Sequence, residues 1–413
     1  MICNRDIMMT GLQSIDFKLG SNAVNLAYEF SKKNRVLYIN HPLDRLTIWK
    51  DRKKPEVQQR LEIIQGKSPE LIKIKDNLWT LYPETILESI SQIPSKFIFN
   101  VLNKINNRRF AKSIKQGIQK LDFENIIWFN DSDFYRVFYL QDYLDIAQYI
   151  YYSRDNMVAT RYFRLHGERM EGAMMTKANA VVANSTYLQN AASTYNPCSF
   201  YVGQGCDVSA FDIKKILHTP EDIALIKKPI IGYIGALVSL RLDIDLIYFI
   251  ASQRPDWNIV LVGPEDDSFK QSQLHLLDNI KFLGSKDQSD LPDYLACFDV
   301  AFNPQAINPI TIGNYPRKID EYLAMGKPVV ATYTEAMQVF DGYVYLAKTG
   351  PEYIELIEFA MLENSASLQQ KREAFAKGHT WEANADEIYR VMEKVMIQEN
   401  LDKTERHVNK TKD

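Results

Sequence analysis

Short runs of β-branched and aromatic residues alternate along this chain with longer stretches whose apolar positions recur every three or four residues, a pattern that predicts βαβ units and parallel sheet. In the first half the strand-like runs fall at 35–39 (Arg-Val-Leu-Tyr-Ile), 126–129 (Ile-Ile-Trp-Phe), 180–183 (Ala-Val-Val-Ala) and 199–202, with helices over 22–33, over 110–121 and from Thr186. In the second half strands are predicted at 230–234, 259–262, 300–302 and 328–331, and helices near 243–253, 291–297 and 318–325. The polar, Pro-containing stretch 213–229 separates the halves as a linker. Near the end, Trp381, Ala385, Ile388, Val391, Met392 and Val395 form the apolar stripe of a helix, and the polar residues from about 398 predict a frayed tail.

Composition adds bounds to this picture. A chain of 413 residues, 46% hydrophobic and 24% charged, has the make-up of a globular protein. Its length suits two cores of about 200 residues each. A net charge of −3 argues against a surface matched as a whole to nucleic acid, which leaves local patches open. Cys3, Cys198, Cys206 and Cys297 lack CxxC spacing, so neither a zinc site nor a disulfide framework is indicated. With no basic-then-apolar leader and no run of about 18 apolar residues, a cytoplasmic location is expected.

Three motifs then stand in order. Residues 314–332 read Asn-Tyr-Pro-Arg-Lys-Ile-Asp-Glu-Tyr-Leu-Ala-Met-Gly-Lys-Pro-Val-Val-Ala-Thr, residues 203–207 read Gly-Gln-Gly-Cys-Asp, and residues 232–236 read Gly-Tyr-Ile-Gly-Ala. The first resembles the donor-site helix of retaining GT-B glycosyltransferases; the second resembles the N-G-V-D end of that family's first domain, and the third the first strand and Gly-rich turn of its second. More narrowly, segments 5–11, 35–40 and 151–155 resemble the glycosyltransferases of teichuronic-acid and exopolysaccharide assembly. The resemblance covers roughly 5–395 and is firmest over 200–335. It departs from the family at one place: eight residues before Glu321, where the family carries a first acid, stands Gly313.

The resemblance implies an α/β chain of GT-B architecture, with two Rossmann-like doubly wound domains facing a central cleft. Its acceptor-side domain would span 1–212 together with a C-terminal helix, 381–397, crossing back to it; the nucleotide-sugar domain would span 213–380, and 398–413 would be the polar tail. It implies a metal-independent, retaining class of transfer only through the family, with no cofactor beyond a nucleotide-diphosphate sugar as co-substrate, a UDP-sugar being favoured, and a glycan or lipid-linked acceptor in bacterial surface polysaccharide biosynthesis. The alternatives are a sugar-nucleotide epimerase of the same architecture and a degenerate, non-catalytic binder of glycan or partner, the absent first acid being the reason to carry the second.

Side-chain chemistry supports a donor site at 312–321. A nucleotide diphosphate needs cations for its phosphates and a carboxylate or amide for its ribose hydroxyls. Gly313 permits close backbone approach, Pro316 suits a first helical turn, Arg317 and Lys318 supply charge, and Glu321 follows on the Lys318 face. The bland reading of Arg317, Lys318 and Glu321 is a solvated ion-pair face. Arg241, after the first strand of the second domain, is a further phosphate contact or a plain surface arginine. Glycine-containing turns at 263–267 and 284–285 could line a base pocket through backbone atoms or be ordinary turns.

On the acceptor side, Asp155 follows a strand and is the candidate catalytic base or orienting carboxylate, a turn or N-cap aspartate being its rival reading. His166, with Glu168, and the stretch Gly20-Ser21-Asn22 are candidate acceptor or cleft residues, while helix capping would give Ser21 and Asn22 the same sequence. Asp131-Ser-Asp133 has the form of a metal-binding pair, yet the pattern is short and no metal is expected. Finally, 94–121 holds Lys96, Lys104, Arg108, Arg109, Lys112, Lys115 and Lys120, no acid, and many apolar residues. Such a basic amphipathic segment suits peripheral contact with anionic membrane, Lys104, Arg108, Arg109 and Lys112 facing the lipid; its bland reading is a solvated helix on the core. Nucleic acid is not expected as a partner, for want of a groove-reading or stacking motif.

Overall fold

The computed structural model describes residues 2–16, 21–160 and 162–410. The chain divides into two units, Met1–Gly203 with Asn384–Asp413, and Gln204–Ala383.

Unit 1 carries β1 (Asp6–Gly11), β2 (Arg35–Ile39), β3 (Leu43–Asp44), β4 (Leu71–Lys75), β5 (Leu78–Leu81), β6 (Ile86–Leu87), β7 (Ile127–Asp131), β8 (Gln148–Ser153), β9 (Ala180–Ala183) and β10 (Ser199–Tyr201). Its main sheet runs β10-β9-β8-β7-β1-β2-β5-β4, parallel throughout except for the β4/β5 hairpin, while β3 and β6 pair separately. β1, β7, β8 and β9 are buried along their whole length. That burial on both faces is why they read as continuous apolar runs rather than as alternation. On one face Phe99, Phe110 and Ile114 of the helix Lys96–Lys120 join Trp128 and Tyr149 in the core; those last two rings stack at 4.2 Å.

The helix Trp381–Lys410 returns to unit 1 from Asn384 onward. Asn384 Nδ2 donates to Val202 O at 2.8 Å, Lys33 pairs with Asp386 at 3.0 Å, Asn34 Nδ2 donates to the Tyr389 hydroxyl at 2.9 Å, and Gln148 Nε2 donates to Met392 O at 3.0 Å. A frayed tail from 398 is corrected: the backbone stays helical through Lys410, and 411–413 lie outside the described residues.

Unit 2 carries β11 (Ile230–Ile234), β12 (Asn258–Val262), β13 (Ile280–Gly284), β14 (Val300–Asn303), β15 (Val329–Thr332) and β16 (Tyr345–Ala347), all parallel in the order β13-β12-β11-β14-β15-β16. One core forms around Ile234, Val260, Leu295, Ile319 and Tyr322, and another around Ile231, Trp257, Ile259, Phe302 and Ile357. Unit 2 begins at Gln204 rather than at 213, because 204–212 already packs with it. Cys206 N–H donates to His379 O at 2.8 Å and Phe211 is buried in the first of these cores.

In each sheet the first strand of the unit is central. The chain moves outward on one side of it, then crosses to the other, at β1/β7 in unit 1 and at β11/β14 in unit 2. Loops leaving the carboxyl ends of such a strand pair diverge and open a crevice, the usual ligand position in open α/β sheets.

Candidate functional site

In unit 2 the loops after β11 and β14 flank the switch point, and the predicted donor residues come from these two loops and the helix that follows. The turn after β11 needs glycine. Gly235 has φ +143°, and a Cβ there would lie 2.7 Å from Lys318 Nζ; a Cβ on Gly263, φ +149°, would lie 2.0 Å from Gly235 O. The two strand-end turns therefore meet backbone to backbone, and Lys318 lies over them. Its ammonium hydrogen-bonds the Tyr233 hydroxyl and sits 3.9 Å from that ring's centroid.

The helix Lys318–Ala324 is tied to β11 by Tyr322, whose buried hydroxyl accepts from Ile234 N–H at 2.8 Å. The approach to that helix is held by a group the sequence did not single out. Asp320 is fully buried, accepts from the Tyr315 hydroxyl at 2.9 Å, and has Oδ1 2.7 Å from His379 Nδ1. Burial pushes the Asp320 carboxyl up, and the hydrogen bond and charge of His379 draw it back. A second acid beside Glu321 was the one available signal.

Glu321 itself is half-buried and has no hydrogen-bond partner among the described residues; it is not within ion-pair distance of Arg317 or Lys318. Burial raises its pKa, and those two cations lower it. The solvated ion-pair face is thus not what forms: Lys318 turns to Tyr233, Arg317 is exposed, and the carboxylate is left available. Gly313 is buried in the β14 loop. Arg241 is exposed, and its backbone carbonyl accepts from Ala306 N–H of that loop at 3.0 Å, while Asn308 Nδ2 donates to Leu240 O at 2.8 Å. The structure therefore brings Arg241, Gly313, Arg317, Lys318 and Glu321 onto one edge of the sheet. The turns at 263–267 and 284–285 end β12 and β13 on that same edge, with Gly263 N–H donating to Gly284 O.

In unit 1 the candidates are dispersed. Ser21 caps the helix Asn22–Phe30, its hydroxyl accepting from Val24 N–H at 3.2 Å, and Asn22 is buried at the start of that helix; Gly20 lies outside the described residues. His166 is 3% exposed, stacked on Phe99 at 3.9 Å with Nε2 2.8 Å from Ile93 O, so it packs the core rather than offering itself to an acceptor. Asp155 follows β8 and pairs with Arg154 Nη1 at 2.8 Å. Arg154 also reaches Asp131 at 2.7 Å, forming a chain of acid, guanidinium and acid over the carboxyl ends of β7 and β8, beside the β1/β7 switch point. Burial opposes the Arg154 charge, but Asp131 and Asp155 raise its pKa overall. Asp133 lies 3.3 Å from Arg136. Both members of the Asp-x-Asp pair are thus fully buried beside arginines.

In the helix Lys96–Lys120, Lys104, Arg108, Arg109 and Lys112 are all exposed, and Arg109 also pairs with Glu88 at 2.9 Å. Arg109 is thus partly withdrawn from the lipid-facing set. Phe97 and Ile98 are exposed at the start of this helix, followed by Val101 and Ile105, and Trp49 of the helix Arg45–Asp51, 77% exposed, shares a shallow groove with Ile105. Among the described residues no helix is long and apolar enough to cross a membrane.

Two doubly wound units, the second with cations and a free carboxylate at its switch point, define the GT-B class of fold. Residues 228–354 match the family described as Glycosyl transferases group 1, so unit 2 carries a domain of that family. TuaH of Bacillus subtilis (strain 168), assigned as a teichuronic acid biosynthesis glycosyltransferase, is 31% identical over 161 residues, 37% of this chain. The chain spans about 40% of the length of that relative. Among solved structures, the sucrose-phosphate synthase of Thermosynechococcus elongatus superposes with a TM-score of 0.63 at 16% identity, covering 96% of this chain and 100% of that one. HepE of Anabaena, in complex with UDP and glucose, superposes with a TM-score of 0.58 at 16% identity over 94% of this chain and 99% of that one.

Proposed function

We propose that this chain is a glycosyltransferase that takes a sugar from a nucleoside-diphosphate donor bound in unit 2 and passes it to a glycan or lipid-linked acceptor of bacterial surface polysaccharide synthesis. The observation that carries this reading is the Glu321 carboxylate, without a hydrogen-bond partner among the described residues, beside Arg317 and Lys318 at the β11/β14 switch point. Glu321 would accept from ribose hydroxyls, while Arg317, Lys318 and Arg241 would neutralise the diphosphate, whose charge grows as the glycosidic bond breaks. Side-chain cations suffice for that, so the reaction would need no metal. HepE, solved with UDP and glucose, and TuaH, assigned to teichuronic acid biosynthesis, support a UDP-sugar donor and a surface-polysaccharide product. Retention of anomeric configuration rests on the family alone.

The exposed apolar and basic residues of 97–112, with Trp49, would hold unit 1 on the anionic cytoplasmic face of the membrane, next to a lipid-linked acceptor.

The test is calorimetric titration with UDP, GDP, ADP and CDP, with and without chelator, on wild type and Glu321→Ala. One nucleotide should bind irrespective of chelator, and Glu321→Ala should weaken it about ten- to a hundredfold, as expected for loss of charge-assisted hydrogen bonds. Because Glu321 bonds nothing else described, its thermal midpoint should hold. Failure of every nucleotide to bind would sink the donor assignment, and unchanged affinity in the variant would remove Glu321 from it.

A further inference from the structure

Unit 1 holds a cavity of about 440 Å³ beyond the carboxyl ends of β2 and β7, lined by none of the residues discussed as acceptor candidates. That volume suits one or two sugar rings. Its walls carry Arg60, Arg136, His41, Asn103, Tyr135 and Tyr162. Three of these present buried polar atoms with no hydrogen-bond partner among the described residues: His41 Nδ1, Asn103 Nδ2 and Arg136 Nε. Asn103 is 1% exposed, and its other amide atom is already used, accepting from Asn107 at 3.1 Å. A buried amide nitrogen left without an acceptor is costly unless something supplies one.

The charge on the walls is unevenly matched. The acids are occupied: Asp44 accepts from Leu46 N–H, Thr47 N–H, the Thr47 hydroxyl and the Ser89 hydroxyl, and Glu88 is held by Arg45 and Arg109. Arg60, by contrast, donates among the described residues only to neutral oxygens, His41 O at 2.5 Å and Ser14 Oγ at 2.7 Å, with the charge of exposed Asp16 acting on it without an ion pair. Arg136 has Asp133 at 3.3 Å, outside hydrogen-bonding geometry. Burial depresses the pKa of Arg60, Asp16 and Tyr82 oppose that, and the neighbouring Arg136 guanidinium depresses it further. His41 is pushed well below its ordinary range by burial and by both arginines, leaving a neutral ring with an unused nitrogen. An anion in this cavity would relieve the repulsion and meet the orphan donors together.

We propose that this cavity is the acceptor-recognition site and that it selects a saccharide bearing a carboxylate or phosphate, its anion held by Arg60 and Arg136, a hydroxyl by Asn103 Nδ2, and its ring against Tyr162. Two guanidiniums favour a planar or tetrahedral oxyanion over a neutral hydroxymethyl group, because paired N–H donors match its oxygens in geometry as well as charge. Tyr162, 46% exposed and 5.9 Å from the Tyr135 ring, gives the mouth an aromatic surface for a sugar face. Only the word acceptor rests on the transferase reading; the selectivity does not.

The experiment is a ligand-observed NMR titration of the full chain with glucuronate, glucose 1-phosphate, glucose and inorganic phosphate, alongside UDP, for wild type, Arg136→Gln and Tyr162→Ala. At least one anionic sugar should bind about tenfold or more tightly than glucose. Arg136→Gln should abolish that preference, and Tyr162→Ala, at an exposed position that endangers no core, should weaken the anionic sugar severalfold while leaving inorganic phosphate unchanged. The proposal is overturned if glucose and both anionic sugars bind alike, if Arg136→Gln keeps the preference, or if inorganic phosphate binds as tightly as glucose 1-phosphate and Tyr162→Ala changes neither. UDP binding separates the two readings. Selective binding of an anionic sugar without any nucleotide would leave this site standing and remove the transferase, and nucleotide binding with no anionic preference would do the reverse.

Discussion

Glu171 offers a measurable consequence of how unit 1 is packed. It lies in the helix Gly167–Lys177, 8% exposed, and its Oε1 accepts a 2.8 Å hydrogen bond from the buried Tyr151 hydroxyl. Burial pushes its pKa from the ordinary 4.5 up to about 7, with that hydrogen bond the only opposing influence. A carboxyl whose folded pKa exceeds its unfolded one holds its proton more tightly in the native state. The stability it contributes is therefore complete below pH 4.5, declines as pH rises from 4.5 to about 7, and is gone above. At about 1.36 kcal/mol for each pH unit of the gap, the loss is roughly 3 kcal/mol. Glu171→Gln keeps the shape and an acceptor for Tyr151 and removes the charge, so it should stabilise the protein by roughly 2–3 kcal/mol at pH 8 and change little at pH 4.5. Urea unfolding at pH 4.5, 6, 7 and 8, followed by tryptophan fluorescence, measures both proteins on one scale. A variant-minus-wild-type difference that stays constant across that range would refute the reasoning, since only a proton taken up differently by folded and unfolded states makes it depend on pH.

Two further outcomes follow from the site geometry. Gly235→Ala puts a methyl 2.7 Å from Lys318 Nζ at a backbone angle that L-residues rarely adopt, so Lys318 should be driven off the turn; nucleotide affinity should fall about tenfold and the thermal midpoint should drop, with about 1–3 kcal/mol of backbone strain. Unchanged nucleotide affinity would exclude Lys318 from the phosphate site. For the membrane surface, replacing Lys104, Arg108 and Lys112 by Gln should abolish most flotation with phosphatidylglycerol vesicles, each basic residue contributing about 1 kcal/mol, and Trp49→Ala should weaken what is left. Equal flotation of all three proteins would reject this face as a docking surface.

The sequence exposed what local periodicity and glycine chemistry control. Strands β11, β12, β14 and β15 lie where the apolar runs placed them, since a strand buried on both faces writes an unbroken apolar word. The β4/β5 hairpin escaped because β4 is the edge strand Leu-Ile-Lys-Ile-Lys, nowhere fully buried, whose lysines protect an open edge and make it look like loop. In the donor site the residues were legible but their partners were not: spacing put Lys318 beside Glu321, yet Lys318 finds Tyr233, 85 residues earlier, and Asp320 finds His379, 59 residues later. His166 misled for the same reason. Its polar neighbours suggested solvent, and its stacking on Phe99 depends on a contact no local pattern contains. Arg60, Arg136 and His41 gave no signal, because three isolated polar residues converge only when the carboxyl ends of β2 and β7 are brought to one edge of the sheet.

The same topological device is used twice and filled in opposite ways. In unit 2 the crevice at β11/β14 is lined by charge the fold leaves uncommitted, an exposed Arg317 and a Glu321 without a hydrogen-bond partner among the described residues, so a ligand can complete it. In unit 1 the matching position at β1/β7 is completed by the protein. Gly11 lies against Asp131, where a Cβ would stand 3.2 Å from the Asp131 Cβ, and Arg154 neutralises Asp131 and Asp155 at once. Burial pushes the Asp131 carboxyl up and Arg154 draws it back, and the ion pair holds the acid in place, which suits support of the sheet end better than proton transfer. Recognition in unit 1 must then come from beside the switch point rather than at it, and the cavity of Arg60, Arg136 and Asn103, with its unmet hydrogen bonds, is the part of that edge whose chemistry the fold has left unfinished.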